Sequence, residues 1–255
     1  TEIYTLSLHD ALPILPELVS GLERMANAGE KDLDGLAVKL IESVTGFRPA
    51  LADAVLRARS PAAGSPQAGA EDMAFFRNLA HQLEARSPLF HGRSGRLLRL
   101  ALDTNTAAGQ PVDPAQLEAA VLMHDIGMMF LPESVWLKVG HLSDDDRQQL
   151  RCHPEFAAGL LSRMAGWQGA AEIAAQHHEK PSGGGYPKGL SGDAICPGAR
   201  LMAIVDAFEA VTLKHSHRGD SRSLLRAIAE INACDDQFAP EWIGHFNSVV
   251  RVLAR

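Results

Sequence analysis

Two clusters of histidine beside a carboxylate, His124-Asp125 and His177-His178-Glu179, constrain this chain more than any other feature. His153 lies between them, and Asp206 lies beyond the second. Such side chains are costly to bury without a partner, so adjacent pairs rarely serve packing. Neutral imidazoles and carboxylates are the usual ligands of zinc, manganese and iron. Four histidines and two aspartates, spaced by one or more helices, predict a polynuclear metal site and hydrolysis of a phosphate ester.

The apolar pattern is helical nearly throughout, with little alternation of period two, which predicts an all-α fold. Leu18, Val19, Leu22 and Met25 follow helical spacing, as do Leu36, Leu40, Ile41 and Val44, and a short helix is expected over 50–57. Residues 60–69 (SPAAGSPQAG) read as a linker. Beyond it, helices are expected over 72–85, 91–107, from Pro114 into His124-Asp125, after Ser143, along Phe156–Met164, and over 170–178, 198–213, 221–231 and 240–253. Asp113-Pro114 is a helix start, and Ser143 with Asp146 is a variant capping box. The predicted organisation is a helical region at 15–58, a linker at 59–70 and a multi-helix domain at 71–255. Thr1–Ile14 resembles the translation of a sequencing adapter and is set apart from the fold, with its His9-Asp10.

A chain of 255 residues, 46% hydrophobic, can bury one sizeable core. Its net charge of -7 implies no broad basic surface, which argues against duplex nucleic acid as a partner. Cys152, Cys196 and Cys234 are scattered, which fits a reducing cytosol. No apolar run approaches the roughly 20 residues of a membrane span. No secretory signal is visible, so a cytoplasmic protein is expected.

Adjacent helical residues diverge by about 100°, so His124 and Asp125 cannot act as simple neighbours on one stripe. A carboxylate can bridge two metals, which makes Asp125 the natural bridging ligand. The other ligands must come from separate helices. Two ions about 3.5–4 Å apart suit phosphodiester hydrolysis by a metal-activated hydroxide. No serine elbow of the GxSxG type is present.

His124 to Gly127 (HDIG), His153-Pro154, His177 to Glu179 (HHE), Gly185 to Pro187 (GYP) and Asp206 together resemble the HD-GYP family, a branch of the HD-domain metal-dependent phosphohydrolases. The resemblance spans roughly 79–250. It implies a helical HD-domain bundle with a central metal site, cyclic di-GMP phosphodiesterase activity, and two or three ions of iron or manganese. It further implies His91, His124, Asp125 and Asp206 as ligands of a first metal. Asp125, His153, His177 and His178 are those of a second. His124 and Asp125 are the implied catalytic residues, and Gly185, Tyr186 and Pro187 border the substrate. A cyclic dinucleotide is the implied partner. A homodimer and a signalling protein partner are compatible with the resemblance.

The chain also departs from the family. Met128 stands where a phosphate-binding Lys is usual. Ser87 replaces the Glu that serves a third metal, so two ions are expected. Ser182 replaces an Asp of the loop, and His215 replaces an Arg, for which Arg218 could partly compensate as a substrate contact. A lost charge-assisted contact removes about 1.5–3 kcal/mol. Three readings follow: a cyclic-dinucleotide phosphodiesterase, a signalling module that binds without cleaving, or a hydrolase of another phosphate ester. Among the remaining candidates, Glu179 reads equally as a partner of a ligand imidazole or as a surface carboxylate. Met128–Leu131 reads as core packing, and Asp144–Asp146 as a solvated helix N-terminus.

Overall fold

A computed structural model describes residues 66–87, 90–138, 141–216, 223–234 and 236–253. The helices expected before residue 58 lie outside these. The described residues form α-helices α1 (Pro66–Glu84), α2 (Arg93–Ala107), α3 (Pro114–Met123), α4 (Glu133–Trp136), α5 (Asp144–Leu150), α6 (His153–Leu161), α7 (Gln168–Gln176), α8 (Pro197–Ser216), α9 (Ser223–Asn232) and α10 (Pro240–Leu253). Two 3-10 turns, Ile126–Phe130 and Gly192–Ala194, complete them. The fold is all-α; among the described residues the sole β feature is an isolated bridge between Ser182 and Ser191.

The central helix is α3. Its start is fixed by Asp113, whose Oδ1 accepts the amides of Ala115 at 2.9 Å and Gln116 at 3.0 Å, with Pro114 in the first turn. Leu117 and every residue from Ala119 to Met123 are buried, so the second half of the helix is enclosed by apolar neighbours on all sides. It lies against α1, α2 and α7. Ala119, Ala120, Ala170 and Ala174 are fully buried, and these small side chains let α3 and α7 pack closely. α7 in turn rests on α6 and α8, while α8 and α10 pack against α2. The helices that carry the histidines and aspartates are therefore neighbours.

Three local devices fix the entry angles. The Asn105 side chain bonds both the amide and the carbonyl of Val112, closing the α2–α3 turn. The Trp167 indole donates to Asp72 at 2.7 Å, and its ring meets Phe76 edge-on at 5.1 Å, which ties α7 to α1. Ser143 and Asp146 form the reciprocal capping box of α5.

Two boundaries differ from expectation. α1 begins at Pro66, inside the stretch read as linker, because proline costs a helix nothing in its first turn. α2 begins at Arg93, two residues later than expected, because Gly92 takes a left-handed conformation with φ 69° just before it. That shift decides which side chain enters the site.

Candidate metal centre

The site forms where the end of α3, the start of α6, the end of α7 and the middle of α8 converge. The last carbonyls of a helix lack intrahelical donors, and three imidazoles supply them. His124 Nδ1 lies 2.8 Å from the Val121 carbonyl of α3, His153 Nδ1 2.6 Å from Leu150 at the end of α5, and His177 Nδ1 2.7 Å from Ala174 of α7. A carbonyl oxygen can only accept, so each Nδ1 carries the proton and donates it. The Nε2 lone pairs are then turned inward. His153 Nε2 and His177 Nε2 stand 3.3 Å apart. Buried His124 Nε2 has no hydrogen-bond partner. Converging Nε2 atoms beside two carboxylates suit a cation, so this donor set fits divalent metal.

The ligand atoms fall into two groups whose members lie within 4.8 Å of one another: His153, His177 and His178, and His124, Asp125 and Asp206. Asp125 faces both. Its Oδ2 is 3.1 Å from His124 Nε2, and its Oδ1 is 3.3 Å from His153 Nε2. Its two oxygens are thus divided between the two groups.

Charge follows burial here. Burial drives His177 well below the ordinary histidine range, helped by its histidine neighbours. Burial likewise brings His178 down to about 4. Both are therefore neutral, as ligands must be. Burial disfavours the His124 imidazolium too, but the Asp125 carboxylate outweighs it and raises its pKa. Burial opposes the charge on Asp125, yet His124 and Arg93 hold its carboxyl well below the usual range.

Of the residues expected from sequence, His124, Asp125, His153, His177, His178 and Asp206 come together. His91 does not: it precedes α2 on an exposed turn, and it belongs to neither ligand group. Arg93 takes that place instead. Its Nη1 donates to Asp125 Oδ2 and its Nη2 to Asp206 Oδ1, each at 2.5 Å. The signal was available in the helical phase. Leu97, Ala101 and Thr104 mark the buried face of α2, and Arg93 sits one turn before Leu97, whereas His91 lies outside the helix.

The Gly185–Pro187 segment folds over the His153–His177–His178 group. The Tyr186 ring lies 4.7 Å from that of His178, and the Arg151 guanidinium stands 5.4 Å from the Tyr186 ring. Gly185 passes so close to Glu179 and Lys180 that a β-carbon there would collide with their backbone. Glu179, 2% exposed, is neither a surface carboxylate nor the partner of a ligand imidazole. Its two oxygens accept the amides of Lys188 at 2.7 Å and Leu190 at 2.9 Å, so it anchors the loop. Met128 packs on the core and lines a cavity of about 60 Å³ with Phe90, Arg93, His124, Asp125 and Trp136. Arg218 lies outside the described residues.

A family model described as HD domain matches residues 77–241. The cyclic di-GMP phosphodiesterase response regulator RpfG of Xanthomonas campestris pv. campestris is 41% identical over 97 residues, covering 37% of this chain and 26% of that protein. The 3'3'-cGAMP-specific phosphodiesterase 2 of Vibrio cholerae is 35% identical over 148 residues, covering 55% of this chain and 28% of its own length. A cyclic di-GMP phosphodiesterase of Thermotoga maritima is 30% identical over 134 residues, covering 51% and 36%. The chain thus spans about a quarter to a third of these relatives. With the matched region enclosing both ligand groups and the Gly185–Pro187 loop, the chain belongs to the HD-domain family, in its HD-GYP branch.

Proposed function

We propose that this chain is a metal-dependent phosphodiesterase that hydrolyses cyclic di-GMP or a related cyclic dinucleotide in bacterial second-messenger signalling. The observation that carries this reading is the convergence of bare imidazole nitrogens on Asp125, capped by the Tyr186 loop. The names of the relatives support it, since they include enzymes for cyclic di-GMP and for 3'3'-cGAMP.

His153, His177, His178 and Asp125 Oδ1 would hold one ion, and His124, Asp125 Oδ2 and Asp206 the other; iron or manganese is the expected metal. Divalent ions bound there supply Lewis-acid stabilisation of the scissile phosphate and acidify water. The chain's own residues do the rest. The Val121, Leu150 and Ala174 carbonyls fix the tautomer and aim of three imidazoles. His124 and Asp125 form the catalytic pair. Gly185, Tyr186 and Pro187 border the substrate, with Arg218 as a further contact. The Arg151 guanidinium beside Tyr186 places a positive charge at the loop for a phosphate.

The test is anaerobic turnover of cyclic di-GMP, 3'3'-cGAMP and linear dinucleotides by protein loaded with Fe(II) or Mn(II). The control is the double variant His124→Ala, Asp125→Ala. Cleavage of a cyclic dinucleotide by the parent alone is expected. No cleavage by metal-loaded parent would overturn the reading, and tight calorimetric binding without product would assign a binding module instead.

A further inference from the structure

The inference concerns Arg93 and rests on the metal-centre reading above. We propose that Arg93 is the built-in cation of the His124–Asp125–Asp206 group. The chain therefore takes up one divalent ion tightly, at His153–His177–His178, and a second only by displacing the guanidinium.

Arg93 donates to Asp125 Oδ2 and to Asp206 Oδ1. These are the atoms that face His124 Nε2, at 3.1 and 3.8 Å. The remaining oxygen, Asp125 Oδ1, faces His153 at 3.3 Å. The guanidinium thus consumes the carboxylate ligands of one group and leaves the other intact.

Arg93 is also held in place. Glu84 accepts the amides of Gly92 at 2.9 Å and Ser94 at 2.6 Å, which fixes the turn that delivers the side chain. The Phe90 ring lies 5.8 Å from the guanidinium. One turn along α2, Arg96 bonds the buried Glu209 of α8 at 2.7 Å and the His91 carbonyl at 2.9 Å. α2 is thereby clamped at the site. The side chain of Arg93 is 14% exposed, and those of Asp125 and Asp206 are 14% and 13%.

Charge balance points the same way. A guanidinium does not lose its proton inside a protein. Two carboxylates, Arg93 and one divalent ion leave a single positive charge before any imidazole is counted. A second ion beside Arg93 would leave three in a largely buried space, where like charges repel strongly. The second ion and Arg93 therefore exclude each other.

The experiment is anaerobic titration with Mn(II) alone, reading free Mn(II) by electron paramagnetic resonance and bound metal by elemental analysis after gel filtration. The parent is expected to retain one ion per chain, with any second ion at least about a hundredfold weaker. Arg93→Gln is expected to bind two ions of comparable affinity, while Arg93→Lys, which keeps a cation, stays at one. Two equally tight ions in the parent, or a single ion in Arg93→Gln, would overturn the proposal. Thermal melts report whether each variant is folded. Should Arg93→Gln not fold, Asp206→Asn decides: it dismantles only the His124–Asp125–Asp206 group, so the tight count stays at one, and a drop from two to one would contradict the proposal. No ion bound by any of these proteins would remove the metal-centre reading and this inference together. Ion counts do not depend on turnover, so catalytic silence leaves the inference standing.

Discussion

Three histidines in this site each do two jobs. Through Nδ1 they satisfy a carbonyl at the end of a helix, and through Nε2 they point a lone pair at their neighbours. Burial makes a fourth imidazole, His178, measurable. His178, at about 4, is expected to titrate in the metal-free protein some two units below the ordinary histidine value of about 6.5. NMR of its imidazole resonances checks this, and a midpoint near the ordinary value would contradict the burial. The stability consequence has a definite sign. Between those two values the unfolded chain binds a proton that the folded site refuses, so this residue favours unfolding progressively as pH falls from about 6.5 towards about 4. At this scale the sequence was most legible where residue types were unusual: His124, Asp125, His153, His177, His178 and Asp206 stood out as costly groups. It was least legible where an ordinary residue took an unusual post. Arg93 reads as a surface cation until the face of α2 is phased against Leu97 and Ala101. Glu179 looks like part of the metal motif, and only the folded loop shows it accepting two backbone amides.

At the scale of elements, the site depends on how closely the turn after α3 approaches the start of α6. Gly127 permits that approach, because a β-carbon there would collide with the His153 carbonyl. Gly127→Ala is therefore expected to destabilise the fold by about 1–3 kcal/mol and to loosen metal bound at His153. Thermal melts with and without Mn(II) measure both effects, and a variant that melts and binds like the parent would contradict the account. The helix starts at Asp113 and Ser143 were readable because a cap is a local event: one side chain and the amides two or three residues on. The start of α2 was not, since it depends on Gly92 adopting positive φ and on Glu84, eight residues upstream, accepting the amide of Gly92. Pro66 illustrates the same limit, as a proline within a Gly-, Ser- and Ala-rich stretch reads equally as linker or as first helical turn.

For the molecule as a whole, an apolar central helix carries a charged group at its end. The second half of α3 is buried on every side, and the chain leaves it at His124-Asp125, where α6, α7 and α8 supply the other converging side chains. No described helix is long and apolar enough to cross a membrane. The all-α class followed from period alone, but the neighbour relations of α3, α7 and α8 did not, because helical pattern says which face is buried and not against what. The central claim is that these converging side chains form a metal centre with its tight site at the histidine group. Anomalous diffraction from crystals grown with Mn(II) tests it most directly. The account predicts a strong peak bonded to His153, His177, His178 and Asp125, with the Arg93 guanidinium still on Asp125 and Asp206. A map without a peak among these four residues, from crystals whose protein is otherwise folded as described, would contradict it.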